Sequence, residues 1–246
     1  MNQARPDSSV PLGRRLFLGV GAAVAAELLL GACDSKGPKS AERFLRYMER
    51  KNEGVERALF RHTAMDAGSP GHRLTGSALP SYFISPKVPV WDESARGVWR
   101  LEVAGMVARP LSLTLPELTR IPHITDRVNH YCVEGWTAIE AWTGCRLRDL
   151  ARIAGVSPEA RFVDFQSFDS GYHESWDIES ALHPQTVIAY GLDGRWLGPA
   201  HGAPARLYSP VKLGYKNVKY LTRIVFLPAA NGGYWSDRGY EWYAGV

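Results

Sequence analysis

The sequence predicts an α+β fold with a mixed β-sheet core and short helices. Segments with the alternation or apolar content of strands recur along the chain and are separated by a few short stretches of helical periodicity. The 24 glycines and 16 prolines among 246 residues are typical of a loop-rich domain. The length suits one catalytic domain with extensions, because it provides enough chain to bury a sizeable core.

The strand predictions rest on short apolar runs bounded by turn residues. The first run alternates between apolar and polar residues and stops at Gly105, as expected of a strand with one buried face. The predicted strands cover residues 98–103, 127–132, 161–167, 186–190, 205–209 and 218–227.

Three helices are predicted from periodicity and from end signals. Apolar residues near helical spacing predict a helix over residues 41–62. Thr114 and Glu117 form a capping box that begins a short helix. Gly155 closes a helix over residues 146–154, because glycine readily adopts the left-handed conformation that ends helices.

The amino terminus is predicted to be an export signal. Arg14 and Arg15 precede an apolar run that is rather short for a membrane span and is interrupted by Glu27. Paired arginines before such a run resemble a twin-arginine signal, a route that carries proteins already folded around their cofactors. Small residues then precede Cys33, as in a lipoprotein cleavage box. The alternative is a signal anchor with an incidental cysteine.

These patterns divide the chain into three parts. Residues 1–32 are predicted to be a twin-arginine and lipoprotein signal peptide, residues 33–90 an amino-terminal helix with an extended arm, and residues 91–246 the catalytic domain. The protein is then expected on the periplasmic side of the membrane, with a lipid anchor at Cys33.

Charge and cysteine content exclude several classes of function. The formal charge is +4 at pH 7 and its residues are interspersed, so no basic stripe for nucleic acid is present. Three cysteines are too few for a disulfide-stapled scaffold. The histidines lack the short spacing of zinc ligands, and neither a nucleophile elbow nor a glycine-rich nucleotide loop occurs.

Cys132 is the candidate for chemistry. It ends a predicted strand and precedes a turn that contains Gly135, so its sulfur can face a cleft as a nucleophile or as a soft metal ligand. From the residues alone, a buried inert cysteine or a disulfide with Cys145 remains an alternative.

Several ordered motifs resemble the sulfite-oxidase-fold molybdopterin oxidoreductases, and within them the periplasmic protein-methionine-sulfoxide reductase branch. The resemblance covers residues 99–226, about half of the chain. It rests on Tyr131-Cys132-Val133-Glu134-Gly135-Trp136, Trp142-Thr143-Gly144, His183-Pro184, His201-Gly202-Ala203-Pro204-Ala205-Arg206-Leu207 and Gly214-Tyr215-Lys216-Asn217-Val218-Lys219.

The resemblance implies a molybdenum–molybdopterin cofactor, in which Cys132 supplies one thiolate to the metal. It places the pterin and its phosphate on Ser167, His201, Arg206, Asn217, Val218 and Lys219, with aromatic contacts from Tyr82 and Phe83 of the arm. Arg206 and Lys219 suit a phosphate, since both are cationic donors. The sequence departs from the family at Ile84 and Ser85, and the reductase branch carries an asparagine where His201 stands. The alternatives are a solvated strand face for the cations, a core histidine for His201 and ordinary packing for Phe83.

The resemblance also implies the reaction, which is oxygen-atom transfer that reduces a sulfoxide or a similar S- or N-oxide, free or within a sulfoxidised protein. A membrane haem protein or a periplasmic cytochrome would supply the electrons. One alternative is sulfite oxidation, although sulfite is a dianion and no arginine-bearing segment follows Cys132. The other is a non-catalytic periplasmic binding lipoprotein, which would carry no metal.

Overall fold

The computed structural model describes residues 39–60, 63–65 and 80–246, with helix side chains described from Arg43 onward. The predicted signal peptide and Cys33 lie outside these residues, and the predicted boundaries at residues 32 and 90 remain predictions. No helix in the described segments is both long enough and apolar enough to cross a membrane. The chain divides into two compact units, residues 1–55 and 56–246.

Five short or medium helices are present in the described residues. They are α1 (Lys39–Leu59), α2 (Glu93–Arg96), α3 (Leu115–Thr119), α4 (Leu147–Ala154) and α5 (Ile178–Ala181). The predicted first helix therefore begins two residues earlier and ends three residues earlier than periodicity indicated.

Both predicted helix-end signals between residues 91 and 246 are confirmed. Thr114 and Glu117 form the capping box at α3, where the Glu117 carboxylate accepts from the Thr114 backbone N–H at 2.8 Å. Gly155 ends α4 in the left-handed conformation with φ of 67°. These local signals need no tertiary contact, so the sequence alone carries them.

Ten strands form two sheets in the described part of the chain. The strands are β1 (Arg100–Gly105), β2 (Leu111–Thr114), β3 (His123–Tyr131), β4 (Thr137–Arg146), β5 (Phe162–Ser167), β6 (His173–Asp177), β7 (Val187–Leu192), β8 (Arg195–Trp196), β9 (Arg206–Tyr208) and β10 (Leu221–Leu227). One sheet has the order β2-β1-β10-β5-β6, and the other has the order β3-β4-β7-β8 with β9 also paired to β7.

The first sheet is mixed, because β1 pairs with β10 in parallel while its other pairs are antiparallel. The main core combines side chains from both sheets and from α4, among them the fully buried Leu101, Phe165, Ile224, Leu150 and Ile188. This arrangement confirms the predicted α+β class with a mixed sheet and short helices.

The sequence analysis missed strands β2, β4, β6 and β8. The longest of them, β4, alternates between buried and half-buried residues, but its sequence does not alternate, because Glu140 lies on the buried face and Ile139 on the other. Gly144 interrupts its apolar pattern for a packing reason, since a Cβ at this position would collide with the backbone of Ile188. Close approach of β7 therefore requires glycine in the middle of a strand.

Candidate active site

A tight turn between β3 and β4 presents Cys132. The Cys132 N–H donates to the Trp136 carbonyl at 3.0 Å, and the Gly135 N–H donates to the Cys132 carbonyl at 3.0 Å. Gly135 has a φ of 84°, a conformation that glycine adopts without a steric penalty. The turn leaves Cys132 half-buried at the wall of a cavity.

A carboxylate lies beside this cysteine. The Glu134 Oε2 atom accepts hydrogen bonds from the Tyr82 hydroxyl at 2.7 Å and the Trp136 indole at 2.9 Å, and it lies 3.9 Å from the Cys132 Sγ atom. The bond from Tyr82 is the main reason that the pKa of Glu134 is lowered. Burial, with the Glu134 charge, raises the pKa of the Cys132 thiol.

The structure rules out a disulfide between Cys132 and Cys145, because both are free thiols. Cys145 pairs with His123 at one end of the β3–β4 hairpin, whereas Cys132 follows the other end. Eight residue steps separate the two ends, or roughly 25 Å at the usual rise of a strand. A disulfide needs Cα atoms within about 7 Å. Cys145 is also fully buried, which raises the pKa of its thiol to about 12.

The cavity has a volume of about 360 Å³. Strand ends and loops from both sheets meet around it, together with the arm before α2. Seven of the residues predicted to serve the site line it: Tyr82, Phe83, Cys132, Ser167, Arg206, Asn217 and Lys219.

Two cations of this wall lie close together without an acidic partner. The Arg206 guanidinium donates to the carbonyls of His201 at 3.1 Å and Asn217 at 3.2 Å, and it lies 4.8 Å from the Trp142 ring centroid. The Lys219 ammonium donates to the Ala200 carbonyl at 3.0 Å. Among the ion pairs of the described residues, none includes Arg206 or Lys219.

Burial without an ion-pair partner lowers the pKa of both groups. Burial lowers the pKa of Lys219 to about 7, and the neighbouring Arg206 charge lowers it further. Burial likewise lowers the pKa of Arg206 to about 10, although Glu140 opposes that effect. An anion in the cavity would reverse both shifts, since an opposite charge favours the protonated form.

Two buried lysines of this fold have a structural role, because each forms an ion pair with a buried carboxylate. Lys212 donates to Asp177 at 2.9 Å, and Lys216 donates to Glu174 at 2.6 Å. Both pairs are almost completely excluded from solvent. The contrast with Arg206 and Lys219 identifies the latter two as the cations available to a ligand.

The remaining predicted residues differ in their placement. The Ser167 hydroxyl accepts from the Asp169 N–H at 2.9 Å at the edge of the cavity. The Asn217 side chain accepts from the Ser209 N–H at 2.7 Å and donates to the carbonyls of Lys212 and Leu213, both at 3.2 Å, so it holds its own loop in shape. The side chains of His201 and Val218 do not line the cavity.

His201 and Val218 instead contribute backbone carbonyl groups to hydrogen bonds. The His201 carbonyl holds the Arg206 guanidinium, while its half-buried ring lies outside the cavity wall. The Val218 side chain is fully buried in the main core, and its carbonyl accepts from the Leu207 N–H at 2.8 Å.

The arm is fastened over the cavity by side-chain hydrogen bonds. The backbone N–H groups of Ile84 and Ser85 donate to the Asp169 carboxylate at 2.8 and 3.1 Å, and the Ser85 hydroxyl donates to it as well. The Ser81 hydroxyl donates to the Ala200 carbonyl at 2.6 Å. Phe83 consequently lies in the cavity wall, with its ring centroid 5.9 Å from the Lys219 ammonium.

Several lining residues were missed as site residues by the sequence analysis. His130 lies two positions before Cys132, so the period-two geometry of a strand places both on one face. Trp235 and Tyr240 bring the aromatic carboxyl-terminal segment to the cavity. Tyr220 adds a buried hydroxyl that has no hydrogen-bond partner in the part of the chain that the structure describes, on a backbone with φ of 58°.

Comparison with known proteins identifies the fold of this chain and the family to which it belongs. The structure aligns with the sulfane dehydrogenase SoxCD from Paracoccus pantotrophus with a TM-score of 0.51 and 25% sequence identity, over 54% of this chain and 39% of that one. Residues 87–235 match the oxidoreductase molybdopterin binding domain family. The chain belongs to that family, and it is a molybdopterin-binding oxidoreductase.

Two relatives indicate which branch of the family the chain is similar to. The chain is 35% identical, over 94% of its length and 87% of the relative's, to a putative protein-methionine-sulfoxide reductase subunit of Azospira oryzae. It is 30% identical, over 60% of its length and 56% of the relative's, to the protein-methionine-sulfoxide reductase catalytic subunit of Campylobacter jejuni. Membership of an oxidoreductase family removes the alternative of a non-catalytic binding lipoprotein.

Proposed function

We propose that this chain reduces a sulfoxide, or a related S- or N-oxide, with a molybdenum–molybdopterin cofactor held in the cavity beside Cys132. The observation that carries the proposal is a pair of cations, the buried Arg206 and the half-buried Lys219, that share the cavity with a half-buried thiol. A phosphate-bearing pterin fits these donors, and a soft metal suits the sulfur. When bound, the cofactor supplies two-electron oxygen-atom transfer.

Each residue then has a defined task. Cys132 binds the metal as a thiolate, and it must release its proton on binding because only the deprotonated sulfur is a strong ligand. Arg206 and Lys219 hold the phosphate with charge-assisted hydrogen bonds. Asn217 ties together residues 209–217 through its bonds to Ser209, Lys212 and Leu213, and so holds the loop at the cavity in shape.

The charge near Cys132 favours a neutral substrate over sulfite. Glu134 is the ionisable group beside the sulfur, and its lowered pKa keeps it anionic near neutral pH. A carboxylate at this position repels a sulfite dianion but has little effect on an uncharged sulfoxide. The two cations lining the cavity among the described residues are Arg206 and Lys219, and the phosphate would engage both.

The direction of the reaction is tested by two assays on the same metal-loaded enzyme. We expect it to oxidise a reduced viologen with a sulfoxide faster than it reduces a ferric acceptor with sulfite. Replacing Glu134 with Gln should raise the relative activity toward sulfite, while Glu159→Gln, an exposed carboxylate outside the cavity wall, should not. Dominant sulfite activity in the wild type would establish the alternative function instead.

We further propose that the protein acts on the periplasmic side of the membrane, exported by the twin-arginine route and anchored through a lipid on Cys33. The support is the Arg14-Arg15 pair, the apolar run and the small residues before Cys33. Replacing both arginines with Lys should retain the protein in the cytoplasm, as measured by fractionation. Undiminished export would contradict the route, and an unmodified Cys33 in the mass spectrum would contradict the anchor.

The electron donor is proposed to be a membrane haem protein or a periplasmic cytochrome. Both relatives are named as subunits, which supports a separate redox partner for this chain. Adding the loaded enzyme and a sulfoxide to pre-reduced membranes should oxidise their haem, followed by its absorbance spectrum. Haem that stays reduced under these conditions, while viologen is still consumed, would refute this partner.

A further inference from the structure

His130 is a buried polar side chain in the cavity wall to which the family motifs assign no role. It precedes the last residue of β3, is 7% exposed and lines the cavity. His130 stands two residues before Cys132, so the two side chains point to the same side of the strand.

The packing around His130 fixes the orientation of its ring. The ring lies between Trp136, at 5.6 Å between centroids, and Tyr208, at 5.8 Å in a stacked arrangement. Trp142 stacks on the far side of Tyr208 at 4.3 Å. A Cβ on Gly214 would lie 2.8 Å from the His130 Nε2 atom, so glycine at this position makes room for the ring.

The ring nitrogens of His130 have no hydrogen-bond partner among the described residues. Two other histidines of the domain differ in this respect. His173 bonds to Asp164 at 2.8 Å, and His183 bonds to the Thr63 carbonyl at 3.1 Å and the Gln185 N–H at 3.2 Å. Because the ring lines the cavity, its nitrogens are available to a ligand that enters there.

We propose that His130 donates an N–H hydrogen bond to the pterin cofactor and positions it relative to Cys132. An imidazole carries at least one N–H in either protonation state, so the bond does not depend on its titration. The aromatic faces and Gly214 hold the donor in place before the ligand arrives, which lowers the entropic cost of the contact. This inference rests on the proposed cofactor and names a further residue that holds it.

The test compares His130→Phe, which keeps a planar ring without a donor, with His130→Gln, which restores an N–H. Both are purified loaded with cofactor, and pterin release is followed by fluorescence after oxidation. Loss of one hydrogen bond of ordinary strength predicts about threefold to tenfold faster release for the Phe variant. The Mo(V) electron paramagnetic resonance spectrum should shift in the same variant, and Gln should restore both properties toward the wild type.

Gly214→Ala provides a second route if His130→Phe does not fold. The added methyl group displaces the ring but keeps its donor, and it should also accelerate pterin release. His173→Phe removes a histidine outside the cavity wall and is the control, with release and spectrum expected to match the wild type. Unchanged release and spectrum in His130→Phe, or a Gln variant that behaves like Phe, would overturn the inference. Wild-type protein without molybdenum or pterin would instead refute the proposed function.

Discussion

Glu140→Gln is expected to stabilise the protein at alkaline pH and to have little effect near pH 4.5. Glu140 lies in the middle of β4, is 6% exposed, and its Oε2 atom has no hydrogen-bond partner among the described residues. Burial raises the pKa of this carboxyl from 4.5 to about 7, even though the Arg206 charge opposes the shift. A difference of about 2.5 pH units corresponds to roughly 3 kcal/mol at ~1.4 kcal/mol per unit.

The pH window follows from the direction of this shift. Between pH 4.5 and 7 the folded chain binds more protons at Glu140 than the unfolded chain does, so stability falls as the pH rises through this range. Above pH 7 the folded state carries the full penalty of a buried carboxylate. Glutamine has the shape of the neutral acid and no charge, so the variant should escape the penalty.

Urea unfolding at pH 5 and pH 8 measures the effect. The free energy of unfolding of Glu140→Gln should exceed that of the wild type by up to about 3 kcal/mol at pH 8 and by much less at pH 5. Glu159→Gln is exposed and should show no such difference. A Glu140→Gln variant whose advantage is the same at both pH values would refute the reasoning.

Three further predictions concern the cysteine, a buried ion pair and the arm. Cys132→Ser should abolish most turnover, because a hydroxyl is a harder ligand, while much of the pterin stays bound; near-normal turnover would disprove its role as metal ligand. Lys216→Met should lower the free energy of unfolding by about 3–5 kcal/mol, because it leaves the buried Glu174 carboxylate without its ion-pair partner. Adding Glu174→Leu should recover much of this loss. Equal denaturation midpoints for the single and double variants would contradict the prediction. Asp169→Ala removes the acceptor of Ile84 and Ser85, so the arm should be cleaved several-fold faster in limited proteolysis, and an unchanged rate would show that other contacts hold it.

The features that the sequence predicted well are those fixed by neighbouring residues. The capping box at Thr114 and the helix end at Gly155 each depend on a few adjacent positions, and the structure confirms both. Strand β4 was missed because its pattern depends on β7, which is distant in sequence, as well as on its hairpin partner β3. Gly144 looks unlike a strand-core residue until β7 packs against it, and Glu140 is an acidic residue that lies on the buried face of the strand.

The candidate site shows the same division. The family motifs identified Cys132, Arg206, Lys219 and the loop of residues 214–219, because binding a metal and a phosphate requires residues of these types. The sequence did not predict that Glu134 would accept bonds from Tyr82 and Trp136, since this depends on how the arm crosses the β3–β4 turn. The sequence assigned Lys219 to the phosphate, but it did not show that Lys216, three positions earlier, would be buried against the acidic partner Glu174.

The way in which the arm is fastened has a kinetic consequence. Its bonds to Asp169, Ala200 and Glu134 connect a chain segment to side chains and a carbonyl of other elements, and none belongs to a sheet ladder. The arm can therefore detach while both sheets stay folded, at a small fraction of the free energy of global unfolding. We expect loading of the cavity to be gated by this local opening, so that cofactor residence time follows the amide exchange rate of residues 81–85 more closely than the melting temperature.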